Sequence, residues 1–214
     1  MTYLEGMLRA LSKVWRRTFV APETMDGMEE IPAGWTHLGN GVEVRVSSYH
    51  MDVRPVTNHE YMRFIQATGA RTPDWITRRG FDDPDQPVVG ITHMEAMTYA
   101  RWVGKRLPSE AEWVRAARSD TDAPHPWGDA MPQQGLAWCD RGAKGAPTAC
   151  TDPKVRIAGA GPWGHRDLIG NVWEWCQSGA LRGGFWGSKQ PNIDERLVTN
   201  TDTISAGFGF RCAY

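Results

Sequence analysis

Beyond residue 119 the chain is punctuated so densely by Gly, Pro and Trp that long helices have no room to form. The runs are Pro126-Trp127-Gly128-Asp129, Gly161-Pro162-Trp163-Gly164 and Gly183-Gly184-Phe185-Trp186-Gly187. Glycine loses backbone entropy in a helix and proline lacks the amide donor, so this half must be short strands joined by structured loops. Strands are expected in 172–176, 181–186 and 207–212. The earlier half reads differently. Thr57…Glu60, Thr92…Glu95 and Ser109…Glu112 mark three helix starts, because a hydroxyl caps the third amide and the Glu returns the bond. The first helix presents Tyr61, Phe64 and Ile65 and stops at Gly69; the second presents Ala96, Tyr99, Ala100 and Val103 and stops at Gly104; the third carries Trp113, Ala116 and Ala117. Ahead of them Val42-Glu43-Val44-Arg45-Val46 alternates like a half-buried strand, extended by Tyr49 and Met51. Helices grouped early and strands late give an α+β domain with low regular secondary structure.

Residues 1–27 read as an appended element. Leu4, Met7, Leu8, Leu11, Val14, Trp15 and Phe19 recur at helical spacing, with Arg9, Lys13, Arg16 and Arg17 on other faces. An amphipathic helix over 1–20 is expected, packing on the core, docking a partner or a second copy, or contacting a membrane surface. Residues 28–214 form the remaining single domain, with no repeat or low-complexity linker to divide it. Its 24 Lys and Arg against 25 Asp and Glu leave a formal charge of −1, which supplies no field to draw it onto nucleic acid. No apolar stretch long enough to span a bilayer exists in the sequence. Cys139, Cys150, Cys176 and Cys212 show no CxxC spacing, so neither a zinc cluster nor a thioredoxin-type motif is present. The start of the chain has no apolar leader core, and a cytoplasmic location with reduced thiols is expected.

The six histidines are scattered, none with a second His or Cys three or four positions away. The common hydrolase, zinc-protease and nucleotide signatures are missing. In Gly170-Asn171-Val172-Trp173-Glu174-Trp175 an amide oxygen and a carboxylate three residues apart match the oxygen preference of a hard cation.

Eight motifs then stand in order: Ile31-Pro32-Ala33-Gly34; Pro55-Val56-Thr57-Asn58; Pro87-Val88-Val89-Gly90; Gly104 to Trp113; Pro126-Trp127-Gly128-Asp129; Gly170 to Trp175; Arg182-Gly183-Gly184; and Gly209-Phe210-Arg211-Cys212. Over residues 28–214 the chain resembles the formylglycine-generating enzyme, or sulfatase-modifying factor, family. That resemblance implies an elaborated C-type-lectin-like fold. It also implies a structural Ca²⁺ held by Asn171 and Glu174 with nearby carbonyls. Family members that make formylglycine bind copper through a cysteine pair just after the Arg-Gly-Gly segment, a soft thiolate site suited to Cu(I). Residues 183–192 contain no cysteine here, so no copper is expected. Cys212 resembles a structural disulfide position whose usual partner is replaced by Ala100 or its neighbours.

The fold family also resembles binding proteins, among them the variable proteins of diversity-generating retroelements, and the pyoverdine-maturation oxidases, which likewise lack the copper cysteines. Fold alone does not decide between them. The leading expectation is a domain that binds a protein or small-molecule ligand through its C-terminal face, with Phe185, Trp186, Lys189, Gln190, Asn192 and Arg196 in contact and Ca²⁺ as a structural ion. The alternative is a metal-dependent oxidoreductase of altered mechanism, its metal held by histidines such as His93, His125 and His165 that folding brings together.

Overall fold

The computed structural model describes residues 27–39, 41–118, 120–133, 136–139, 145–149 and 158–214. The helix expected over 1–20 lies outside the described residues. Four short strands come first, β1 (Met28–Ile31), β2 (Gly34–His37), β3 (Glu43–Val46) and β4 (Tyr49–Asp52). Helices α1 (Asn58–Thr68), α2 (His93–Trp102) and α3 (Glu110–Arg118) follow, then β5 (Trp173–Trp175), β6 (Ala180–Arg182), β7 (Arg196–Val198) and β8 (Phe208–Gly209). Strands β1 and β4 pair antiparallel, as do β2 and β3, and the late strands form one sheet in the order β7-β6-β5-β8 with β5 and β8 parallel. The early strand expected over 42–46 and its extension by Tyr49 and Met51 are present as β3 and β4, and β1 and β2, which were not expected, pair with them. The α+β class and the low content of regular structure stand.

All three helix starts are built as their boxes require. The hydroxyls of Thr57, Thr92 and Ser109 accept from the amides of Glu60, Glu95 and Glu112 at 3.3, 3.2 and 3.2 Å. The glutamates accept from the backbone of Thr57, Thr92 and Ser109 in return at 2.8, 2.8 and 2.7 Å. Each of these glutamates is also gripped by both arms of an arginine, Arg54, Arg71 and Arg106 respectively. Helix α1 ends where Gly69 turns left-handed at φ 72°.

The apolar faces meet in two clusters. One packs Ile31, Tyr49 and Met51 of the early strands against Trp113, Val114 and Ala117 of α3. The other joins Tyr61 and Phe64 of α1, Tyr99 of α2, and Phe210 near the C-terminus, with Tyr61 and Tyr99 stacked at 5.5 Å. Cys212 lies fully buried in this second cluster together with Ala100, so the thiol packs as a small apolar group. Strand β6 stops at Arg182, short of the expected 186, because Gly183 and Gly184 take φ 96° and 74°. A Cβ on Gly183 would strike the Leu168 carbonyl, so only glycine lets the strand turn there.

Candidate functional site

The segment from Arg182 to Ser205 carries the residues expected to bind a ligand, and its geometry separates framework from surface. Phe185 is half-buried, its ring pressed onto the backbone at Gly187 and Gly207, where an added Cβ would come within 2.6 and 2.5 Å of ring atoms. Trp186 crosses it edge-on with ring centres 5.0 Å apart and is only 7% exposed. Its backbone amide donates to Asn171 O at 3.0 Å. Trp186, expected among the ligand-contact residues, is thus an interior residue and not an exposed ring. The absence of side chains at Gly187 and Gly207 lets the Phe185 ring sink against the backbone, and Trp186 packs edge-on against that ring.

Asn192 is likewise internal to the loop, since its Oδ1 accepts from the amides of Asp194 and Glu195 at 2.9 and 3.1 Å. Arg196 is not a free donor: its guanidinium meets Glu110 at 2.6 and 3.0 Å. Lys189 and Gln190 are exposed, as expected. The structure adds surface residues that sequence reasoning passed over. Val198 is 64%, Ile204 48% and Met94 57% exposed. Backbone bonds from His93 to Thr201 O and from Gly90 to Ser205 O bring the start of α2 against this same segment.

Glu110 was also missed as a separate residue. Its carboxylate accepts from Arg196, from Arg182 at 2.8 and 3.1 Å and from Ser178 Oγ at 2.8 Å. Burial opposes its ionisation, but the hydrogen bonds from Arg196 and Ser178 and the charge of Arg182 outweigh it and draw the carboxyl down to about 2. No local signal marks it, because an acidic residue in the first turn of a helix is ordinary and its partners lie 68 to 86 residues away in the chain.

The pair proposed for a cation does not fit one. Asn171 stands in a left-handed conformation, φ 63°, and its amide is engaged on both sides with Thr148, at 2.9 Å to N and 3.2 Å to O. Glu174 is completely buried and accepts from Arg211 at 2.7 Å on each oxygen and from Trp113 Nε1 at 2.8 Å. A cation on that carboxylate would have to displace the guanidinium. Among the described residues no group of three or more His, Cys, Asp or Glu is arranged to hold a metal ion.

The three histidines have separate attachments. His93 Nε2 meets Cys176 O at 3.0 Å, His165 Nε2 meets Met51 O at 3.2 Å, and His125 stacks on Trp127 at 5.0 Å. The thiols of Cys176 and Cys212 are fully buried, and burial pushes both well above the ordinary range, away from the thiolate that a soft metal needs. No helix among the described residues is long and apolar enough to cross a membrane.

Comparison with known proteins places this geometry among relatives. The model of the family described as "Sulfatase-modifying factor enzyme 1-like domain" matches residues 18–214. Serine/threonine-protein kinase pkn1 of Chlamydia caviae is 29% identical over 216 residues, 80% of this chain and 34% of that protein. The chain thus spans about a third of the length of such kinase relatives. Formylglycine-generating enzyme of Thermomonospora curvata is 29% identical over 264 residues, 89% of this chain and 84% of that protein. Among solved structures, PvdO from Pseudomonas aeruginosa superposes with a TM-score of 0.68 at 22% identity, covering 87% of this chain and 93% of that one. Treponema denticola variable protein 1 gives 0.66 at 18%, covering 87% and 94%. Both likenesses are of fold.

Proposed function

Because the chain belongs to the family of sulfatase-modifying factor enzyme 1-like domains, we propose that it is a binding member of that family. In this reading it presents its C-terminal segment to a protein or small-molecule ligand and does not oxidise cysteine to formylglycine. The observation that carries the reading is the pair Phe185 and Trp186. Directly after Arg182-Gly183-Gly184 come two interlocked rings, Phe185 half-buried and Trp186 buried, and no thiol follows as far as Asn192. The scaffold motifs persist while the ligands for copper are gone.

What remains accessible is chemically suited to contact. Lys189 and Gln190 at the tip of the loop supply donors, and Val198 and Ile204 supply apolar area. A loop whose own amides and guanidinium groups are already paired loses little conformational freedom on binding, which favours affinity. Trp186, Asn192 and Arg196 act in this reading by holding the loop's shape.

The test compares capture by the immobilised chain with capture by two surface variants, Lys189→Glu with Gln190→Ala, and Val198→Asp with Ile204→Asp. A partner retained by the parent and lost by either variant, at unchanged melting temperature, supports the reading. Equal retention by all three contradicts it.

A further inference from the structure

Glu110 lies at the start of α3 but does not cap it. Instead its two oxygens take five hydrogen bonds from three residues: Arg182 in β6, Arg196 in β7 and Ser178 in the turn before β6. We propose that Glu110 is the positioning residue of the C-terminal segment, clasping both of its ends through Arg182 and Arg196 so that residues 183–195 are held as one preformed loop. The proposal rests on the reading of that segment as the ligand-binding face.

The two arginines differ in a way that suits a clasp. Arg182 is 2% exposed and fixed, whereas Arg196 is 46% exposed and stands at the open edge of the sheet. A single carboxylate therefore ties the outer end of the loop to an internal anchor. The other end of α3 repeats the grip, because Arg118 meets Asp194 at 2.6 Å. Arg182 also donates to Asp194 O at 3.4 Å. The loop is thus attached to one helix at both of that helix's ends, and closing it in advance removes ordering entropy that a ligand would otherwise have to supply.

Charge keeps the clasp shut across the neutral range. The groups facing Glu110 are the guanidinium groups of Arg182 and Arg196 and the Ser178 hydroxyl, and the buried Cys176 thiol is the further titratable group that feels its charge. With the carboxyl drawn down to about 2, the anion persists until strongly acidic pH.

The experiment is amide hydrogen exchange on the full chain without any ligand, alongside the melting temperature. Glu110→Gln keeps the shape and removes the charge. Amides of 184–195 are then expected to exchange roughly tenfold faster or more, while those of β1, β4 and α1 keep their protection. Arg196→Gln, a change at an exposed partner, is expected to accelerate the same stretch roughly two- to fivefold, and it carries the test if Glu110→Gln does not fold. In the parent, protection of the loop stays level from neutral pH to about 4 and is lost toward pH 2, a step absent from Glu110→Gln. Unchanged exchange in 184–195, or an equal rise in β1, β4 and α1, overturns the proposal. Since no ligand enters, that result would leave the binding reading to its own capture test.

Discussion

Glu174 and Arg211 meet end to end inside the core, Nη2 to Oε1 and Nε to Oε2 both at 2.7 Å, with neither side chain more than 1% exposed. The pair joins β5 to the strand end beyond β8, and Arg211 reaches on to the carbonyls of Asp52, Val53 and Arg166. Removing one partner strands a buried charge. Arg211→Met or Glu174→Gln alone is expected to cost about 3–5 kcal/mol in urea unfolding, and combining them to recover part of that loss. Additive costs would show that the two are not coupled.

The same pairing predicts the response to calcium. With both oxygens of Glu174 taken by Arg211 and Trp113, added Ca²⁺ or a chelator is expected to leave the melting temperature unchanged. A calcium-dependent rise that disappears in Asn171→Ala would contradict this.

Trp186 and Lys189 stand three residues apart and are expected to respond oppositely. Trp186→Ala empties an interior site and is expected to destabilise the domain by about 3–5 kcal/mol, as loss of a packed aromatic does. Lys189→Ala is expected to stay within about 0.5 kcal/mol. Denaturant unfolding distinguishes them, and a neutral Trp186→Ala would return that ring to the surface.

His165 gives the fold a defined acid sensitivity. Burial, then repulsion from Arg211, depress its pKa to about 3, while the unfolded chain titrates near the ordinary value of about 6.5. The unfolded state therefore binds the extra proton first. Stability from this group is complete above pH 6.5 and falls as pH drops toward 3, by at most about 1.4 kcal/mol per pH unit. His165→Gln is expected to flatten the slope of unfolding free energy against pH in that window, and an unchanged slope would assign the acid sensitivity to other groups.

The helices were legible in the sequence because their signals are local: each box lies within four residues, and Gly69 marks its stop in place. Strand β1 was not, since its burial runs in-out-out-in and Met28 and Ile31 give no period of two. Strand β7 was hidden for a related reason. Three residues paired to β6 are stabilised by distant groups, Glu110 above all, and no local pattern records that. Within the candidate site, Lys189 and Gln190 are exposed. Trp186, Asn192 and Arg196 carry binding-type chemistry but spend it on the fold. Residue type shows what a side chain can offer, and only the packing around it shows whether the offer is already taken.

The proposed reading of this family member is that it binds a ligand and does not make formylglycine. The most direct measurement incubates the purified chain with a cysteine-containing sulfatase-type peptide, Cu(I), oxygen and a thiol reductant, and follows the peptide by mass spectrometry. The expected result is that the cysteine is recovered unchanged, because 183–192 supplies no cysteine and burial pushes the thiols of Cys176 and Cys212 well above the ordinary range. Formation of the aldehyde in an enzyme-dependent manner would contradict it.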